Sequence, residues 1–248
     1  DWESIGQMNL NIIVGAGLNT DVNNGPISFS AGSGMTPEIM AITLLLGGPD
    51  ANYAEVSANK IVWVKGMSGS ERRLAFRRGD LSATRENPAA YKKHVEPIIA
   101  EGNAYTWFHH GLLDVQTGNH ESDPNFVEPT FEELYEQTWG VAPAGDFYDA
   151  YKLVKSWRDA LQKAFWVNAG NPNKQKLVDA LNSMLADAES VAAIEAKVGQ
   201  YQWRTGVDGD NAVKTLKTFI TPPALKTLSD FAKHQLGYNT VYKEALLK

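Results

Sequence analysis

The chain has 248 residues, 43% of them hydrophobic and 21% charged, with a formal net charge of -6. That length suffices for one large domain or two lobes, and the negative balance gives no electrostatic basis for binding nucleic acid or an anionic membrane surface. Cysteine is absent, which excludes disulfides, thiolate metal sites and cysteine nucleophiles; no apolar run approaches the ~20 residues that cross a bilayer.

In chain order, Leu10–Gly15 and Ile27–Ser30 read as strands. After a small-residue loop, Thr36 suits an N-cap and Pro37 the first helical position, and Ile39 to Leu46 predicts a buried helix. Lys60–Lys65 alternates and is rich in β-branched residues, so it reads as a strand. Gly66–Ser70 is a second small-residue loop, and Ser70 is expected to cap a helix over Glu71–Arg78 that Gly79 stops. Asp80–Thr84 reads as a strand, and Asn87 caps a helix that starts at Pro88 and runs to about Glu101. This rhythm predicts an α/β lobe with parallel strands over about 8–130.

Tyr105–His110 is an aromatic strand, Asp114–Asn125 is polar and turn-rich, and Thr130 caps a short acidic helix to Gln137. A long amphipathic helix is predicted from Asp146 to about Phe165. Further helices are expected from Asn171 to Leu185, Ala188 to Val198, around Val213–Phe219 and from Pro223 to Leu236.

The loop between Ile27 and the first helix carries the clearest chemistry. Ser30, Ser33 and Thr36 supply hydroxyls, while Gly32 and Gly34 let the backbone approach a ligand. Free N–H groups here, with Met35 leading into the helix, and the positive end of the helix dipole favour a small anion, and a carboxylate is the natural one. An ordinary glycine-containing β–α turn has the same composition.

Other constellations point less far. Adjacent His109 and His110 on a strand face opposite ways, so with His120 and Asp123 they read as surface or aromatic-cluster residues and no metal is expected. Ser33 and Ser68 sit in tight loops, yet no G-x-S-x-G elbow is present, so no catalytic residue is assigned. Arg72, Arg73, Arg77 and Arg78 read as a solvated face balanced by acidic residues. Trp107, Phe108, Trp157 and Trp166 read as core, whereas Trp63, just before the Gly66–Ser70 loop, is placed to stack on a planar ligand.

Several of these pieces occur in one order: Asp1–Gln7 leading into a strand, the loop Ser30-Ala-Gly-Ser-Gly34, Trp63–Ser70 followed by Arg72–Leu81, a helix ending at Ile98–Gly102, Pro129–Leu134, and Asn171-Pro172 followed by Leu177–Asp187. Over nearly the whole chain this order resembles the periplasmic solute receptors of tripartite tricarboxylate transporters, the TctC or Bug family. The resemblance implies a periplasmic-binding-protein-like α/β fold of type II, a two-lobed Venus flytrap, with a second-lobe domain over 8–140 and the mainly helical part of the first lobe over 141–248. It implies a non-enzymatic, periplasmic, monomeric binding protein without cofactor, which captures a small organic carboxylate and hands it to membrane permease subunits. Residues 30–36 match the family's second-lobe ligand loop and 66–70 a neighbouring one. The expected ligand-binding residues are therefore Ser30, Gly32, Ser33, Gly34, Met35, Thr36, Trp63, Gly66, Met67 and Ser68. The family's opening strand, glycine-rich loop and helix do not precede Asp1, so the first lobe is expected to be incomplete and carboxylate affinity poor. The alternatives are an α/β enzyme acting on an anionic substrate at the same loops, or a ligand sensor outside transport.

Overall fold

The structure, a computed structural model, describes residues 2–23, 25–30 and 36–237. Strand β1 (Trp2–Asn9) passes through Leu10–Ile12 into β2 (Ile13–Gly17) and, after a loop, β3 (Ile27–Phe29). Then follow α1 (Pro37–Gly47), α2 (Tyr53–Lys60), β4 (Ile61–Trp63), α3 (Gly69–Arg77), β5 (Ala83–Glu86), α4 (Pro88–His94), α5 (Glu96–Ala100) and β6 (Ala104–His109). Five of these strands form one sheet in the order β4-β3-β5-β2-β6.

The sheet is mixed rather than parallel throughout. β3 runs parallel to β4 and β5, but β2 is antiparallel to β5 and β6. Helical crossovers join β3, β4 and β5, which parallel neighbours require, whereas β2 arrives directly from β1 with no helix between them. The strand expected at Leu10–Gly15 is accordingly displaced, because Leu10–Ile12 carries the chain from one sheet to the other. The helix expected over 87–101 is broken after His94: Pro97 has no N–H to donate and its ring crowds the carbonyl four residues back. Ser68, not Ser70, caps α3, through a capping box with Glu71.

Beyond β6 come a two-stranded ribbon, β7 (Leu112–Leu113) with β8 (His120–Glu121), then α6 (Phe131–Trp139), α7 (Asp146–Leu161), β9 (Ala164–Asn168), α8 (Lys174–Ala186), α9 (Ala188–Val198), β10 (Gln202–Thr205), α10 (Val207–Thr218) and α11 (Pro222–Leu236). Phe165 lies in a strand, not at the end of the long helix. Phe165-Trp166-Val167 is aromatic and β-branched, and it pairs antiparallel with β1. β10 pairs with the other edge of β1, giving a second sheet in the order β10-β1-β9.

Helix α1 is buried from Pro37 to Leu46, as its uninterrupted apolar sequence predicts. It sits in the main core with Phe29, Phe108, Phe131 and Tyr151. Helix α7 contributes Phe147, Ala150 and Tyr151 to that core, and farther along it packs on β1. It therefore ties the two sheets together, and α11 returns to pack against α7 and α2. Among the described residues no helix is long and apolar enough to cross a membrane.

Candidate functional site

Strands β3, β4 and β5 are parallel, so their carboxyl ends share one edge of the five-stranded sheet, the edge where ligands bind in open α/β sheets. β5 ends at Glu86; Asn87 caps α4, and Pro88 starts it. An open cavity of about 710 Å³ lies beside this turn. Pro88, Lys92 and Lys93 line one wall, Lys197, Gly199 and Gln200 the other, with Asp123, Asn125 and Phe126 between them and Glu96 and Glu195 also present. The cavity thus runs between α4, which follows β5 of the five-stranded sheet, and the end of α9 with the segment joining it to β10. The walls touch at Gly199: its φ is +91°, and a Cβ there would lie 2.9 Å from that of Ala89. Lys92, Lys93 and Lys197 are exposed, and none pairs with a carboxylate within 4.0 Å among the described residues.

A small chamber of about 10 Å³, the size of one water, shares Pro88, Asp123, Asn125 and Gln200 with that cavity. Its floor is the crossing segment, with Asn9 and Asn11, two residues apart. Asn11 donates through Nδ2 to Asp123 at 3.0 Å and to His109 Nδ1 at 3.2 Å. Asn9 donates to the carbonyl of Leu113 at 3.1 Å. Both amide oxygens are buried without a hydrogen-bond partner.

The ten expected ligand residues meet several fates. Gly32, Ser33, Gly34 and Met35 lie outside the described residues. Ser30 is fully buried, and its hydroxyl has no hydrogen-bond partner. Thr36 caps α1 without bonding the first-turn N–H groups, and its hydroxyl is buried without a hydrogen-bond partner. Trp63 is half-buried against the main core, with its indole N–H buried and unpartnered. Gly66 is exposed with φ +83° and open space beside it. Met67 packs against a second cluster that includes Phe76 and Tyr91. Ser68 is occupied internally: its N–H donates to Glu71 at 2.7 Å, and its hydroxyl accepts from the Glu71 N–H at 3.3 Å. The 66–70 loop therefore offers fewer free donors than expected, because α3 carries its own carboxylate on its first turn.

Helix α1 does the same with Glu38, which is completely buried. Burial works against its charge, but Arg158, then Arg85 and His110, prevail and hold the carboxyl well below the usual range. Arg158 bonds both Glu38 and Asp159; Asp159 in turn bonds Lys155 at 3.0 Å, and both of these are fully buried on α7. Burial keeps His110 and His120 far below the usual imidazole range, so both are neutral. His109, His110 and His120 are thus interior residues, not surface ones, though the aromatic half of the expectation stands: His110 contacts Phe108 and Tyr151. No group of metal-ligating residues is assembled among the described residues.

The basic helix is also more committed than a solvated face. Arg72 and Arg73 both bond the buried Glu86, at 3.1 and 2.9 Å, while Arg77 and Arg78 pair with Glu101 and Asp80 at the surface. Sequence reasoning missed the cavity and its floor. Asn9 and Asn11, polar residues at alternate positions in an otherwise apolar crossing segment, were its visible signal.

Two α/β units joined by crossing segments, with a cleft at the strand ends, have the fold of the periplasmic solute-binding proteins. Among solved structures the chain is similar to a TctC solute-binding protein from Polaromonas, determined without ligand, at 11% identity over 88% of this chain and 68% of that one, with a TM-score of 0.50. It also aligns with a structure described as a periplasmic transporter, at 14% identity over 95% of this chain and 69% of that one, with a TM-score of 0.44. No protein-family model matches the chain, and no curated protein matches it. At these identities the likeness bears on fold alone.

Proposed function

We propose that the chain is a non-enzymatic, periplasmic solute-binding receptor of the tripartite tricarboxylate type, which captures a small organic carboxylate and presents it to membrane permease subunits. The cleft carries this reading: about 710 Å³ of open space at the strand ends, with three unpaired lysines on its rim, in a solute-binding fold. We take 8–140 and 141–248 as the two lobes, with β1 (Trp2–Asn9) joining the sheet of the second and α7 packing on both sides. We assign the carboxylate to two candidate places, the loop from Ser30 to Thr36 and, in the cleft, the rim at Lys92, Lys93 and Lys197. Trp63, with its free buried indole N–H, supports the first; Ser68 and Gly66 shape the neighbouring turn.

Calorimetric titration of the chain with di- and tricarboxylates tests the reading. Binding should be detectable without turnover. Lys92→Glu with Lys93→Glu should weaken it at least tenfold while the thermal midpoint stays unchanged, and Gly34→Leu should weaken binding far more than folding. Conversion of any of these acids would favour an enzyme.

One observation speaks for that second reading. Ser156 Oγ lies 3.2 Å from His120 Nε2, and His120 Nδ1 lies 4.0 Å from Glu132. The three types match a nucleophile, base and orienting acid. Ser156 is completely buried in the middle of α7, however, so a substrate has no approach to it here. Ser156→Ala should therefore leave carboxylate binding intact.

A further inference from the structure

The floor of the cleft presents acceptors and a carboxylate, and its rim carries Lys92, Lys93 and Lys197 alongside Glu96 and Glu195. Asn9 and Asn11 are 2% and 1% exposed, and each amide oxygen lacks a partner. Their orientation is fixed by what the NH₂ groups do. Asn11 must turn its NH₂ toward the Asp123 carboxylate, and Asn9 must turn its own toward the Leu113 carbonyl, so the free atom in both is the oxygen. Asp123, 4% exposed, accepts from Asn11 at 3.0 Å and from the backbone and side-chain N–H groups of Asn125 at 3.0 and 2.9 Å. All of these partners are neutral, and no cation pairs with Asp123 among the described residues. A buried carboxylate without a counter-charge, beside two buried acceptors without donors, is costly unless something supplies both.

A protonated amine supplies both: three N–H donors and one positive charge. The chamber is one heavy atom in size and shares its lining with the large cavity, so a small head group enters it while the rest of the molecule stays in the cleft. We propose that this floor is an ammonium subsite formed by Asn9, Asn11 and Asp123, so that the solute is an amino-substituted carboxylate, a zwitterion whose acid group faces the lysine rim. This deepens the receptor reading and rests on it.

The test uses the whole chain and three acids with one four-carbon skeleton: succinate, L-malate and L-aspartate, titrated calorimetrically at pH 7. L-Aspartate should bind at least tenfold more tightly than either of the others, and N-acetyl-L-aspartate should lose that advantage. Asp123→Asn should reduce the aspartate-to-succinate ratio below threefold. Succinate binding as tightly as L-aspartate overturns the subsite and leaves the receptor standing. L-Malate matching L-aspartate overturns the amine in favour of a neutral donor. Retention of the preference in a folded Asp123→Asn protein also overturns it; should that variant not fold, the wild-type ranking with N-acetyl-L-aspartate decides. If none of the three acids binds, the receptor reading itself fails, and the subsite with it.

Discussion

Two buried polar regions of this molecule are equally dry and oppositely finished. Around the start of α1, Glu38 meets Arg158 and Arg85 with the neutral His110 beside it, and Asp159 meets Arg158 and Lys155, so charge answers charge, although Glu38 Oε2, Arg85 Nε, Arg158 Nη2 and His110 Nε2 each lack a hydrogen-bond partner. At the floor of the cleft, Asn9, Asn11 and Asp123 are as deeply buried, but two acceptors are unmatched and the one negative charge faces neutral partners. The first region is balanced in charge by its own residues and ties α1, the end of β6 and α7 together. In the second, no cation among the described residues pairs with Asp123. Buried polar groups hold structure where they are matched and mark a binding surface where they are not.

The largest effect should come from breaking the matched region. Glu38→Gln leaves Arg158 and Arg85 short of a buried counter-charge, and removal of one partner from such a pair costs about 3 kcal/mol. Urea unfolding at pH 7 should show that loss, and a change within 0.5 kcal/mol would mean that the cluster is not structural.

A second test sharpens the same contrast through pH. Burial pushes Glu132 up to about 7, against the pull of Lys155 and its bond to Tyr148. Its folded pKa lies above its unfolded one, so its contribution is fully present below the unfolded value and is lost as pH rises through 7. The histidines run the other way: His110 and His120 are neutral when folded and charge when unfolded, so stability falls as pH drops below their unfolded value. In Glu132→Gln only the first component disappears. Its stability relative to the parent should therefore rise by roughly 2 kcal/mol between pH 5 and pH 8; a flat difference would place the Glu132 pKa in the ordinary range.

The smallest effect belongs to the self-capped helix. Ser68→Ala removes the capping box of α3 and should cost about 1 kcal/mol in thermal or urea unfolding. Any tenfold loss of carboxylate affinity in that variant would return Ser68 to the ligand and show that its bonds to Glu71 are given up on binding.

Much of the fold was legible because its punctuation is local. Asn87-Pro88, the cap at Thr130 and the glycine at 199 place helix ends within the sequence itself, whereas the cap of α3 lies at Ser68, two residues before the expected Ser70. Strand direction is not local, so nothing in Ile13–Gly17 announced that β2 runs against its neighbours. Phe165 follows Leu161 at a helical spacing and also suits a strand, and only pairing with β1 decides between them. Lys155 and Asp159 look like an ordinary solvated pair four residues apart; they are buried by segments distant in sequence, Lys155 bonding the carbonyl of Gly111 and the Asp159 carbonyl accepting from the Leu10 N–H. The cleft floor was hidden for the same reason: Asn11 and Asp123 are 112 residues apart in sequence and 3.0 Å apart in space.

Hydrogen exchange of the whole chain with and without a bound carboxylate tests the central claim most directly. Ligand in the cleft should slow exchange together at 9–12, 87–93 and 195–202, the crossing segment and the two walls. Protection confined to other segments, or none at a saturating concentration of an acid shown by calorimetry to bind, would contradict the placement of the site between the two units.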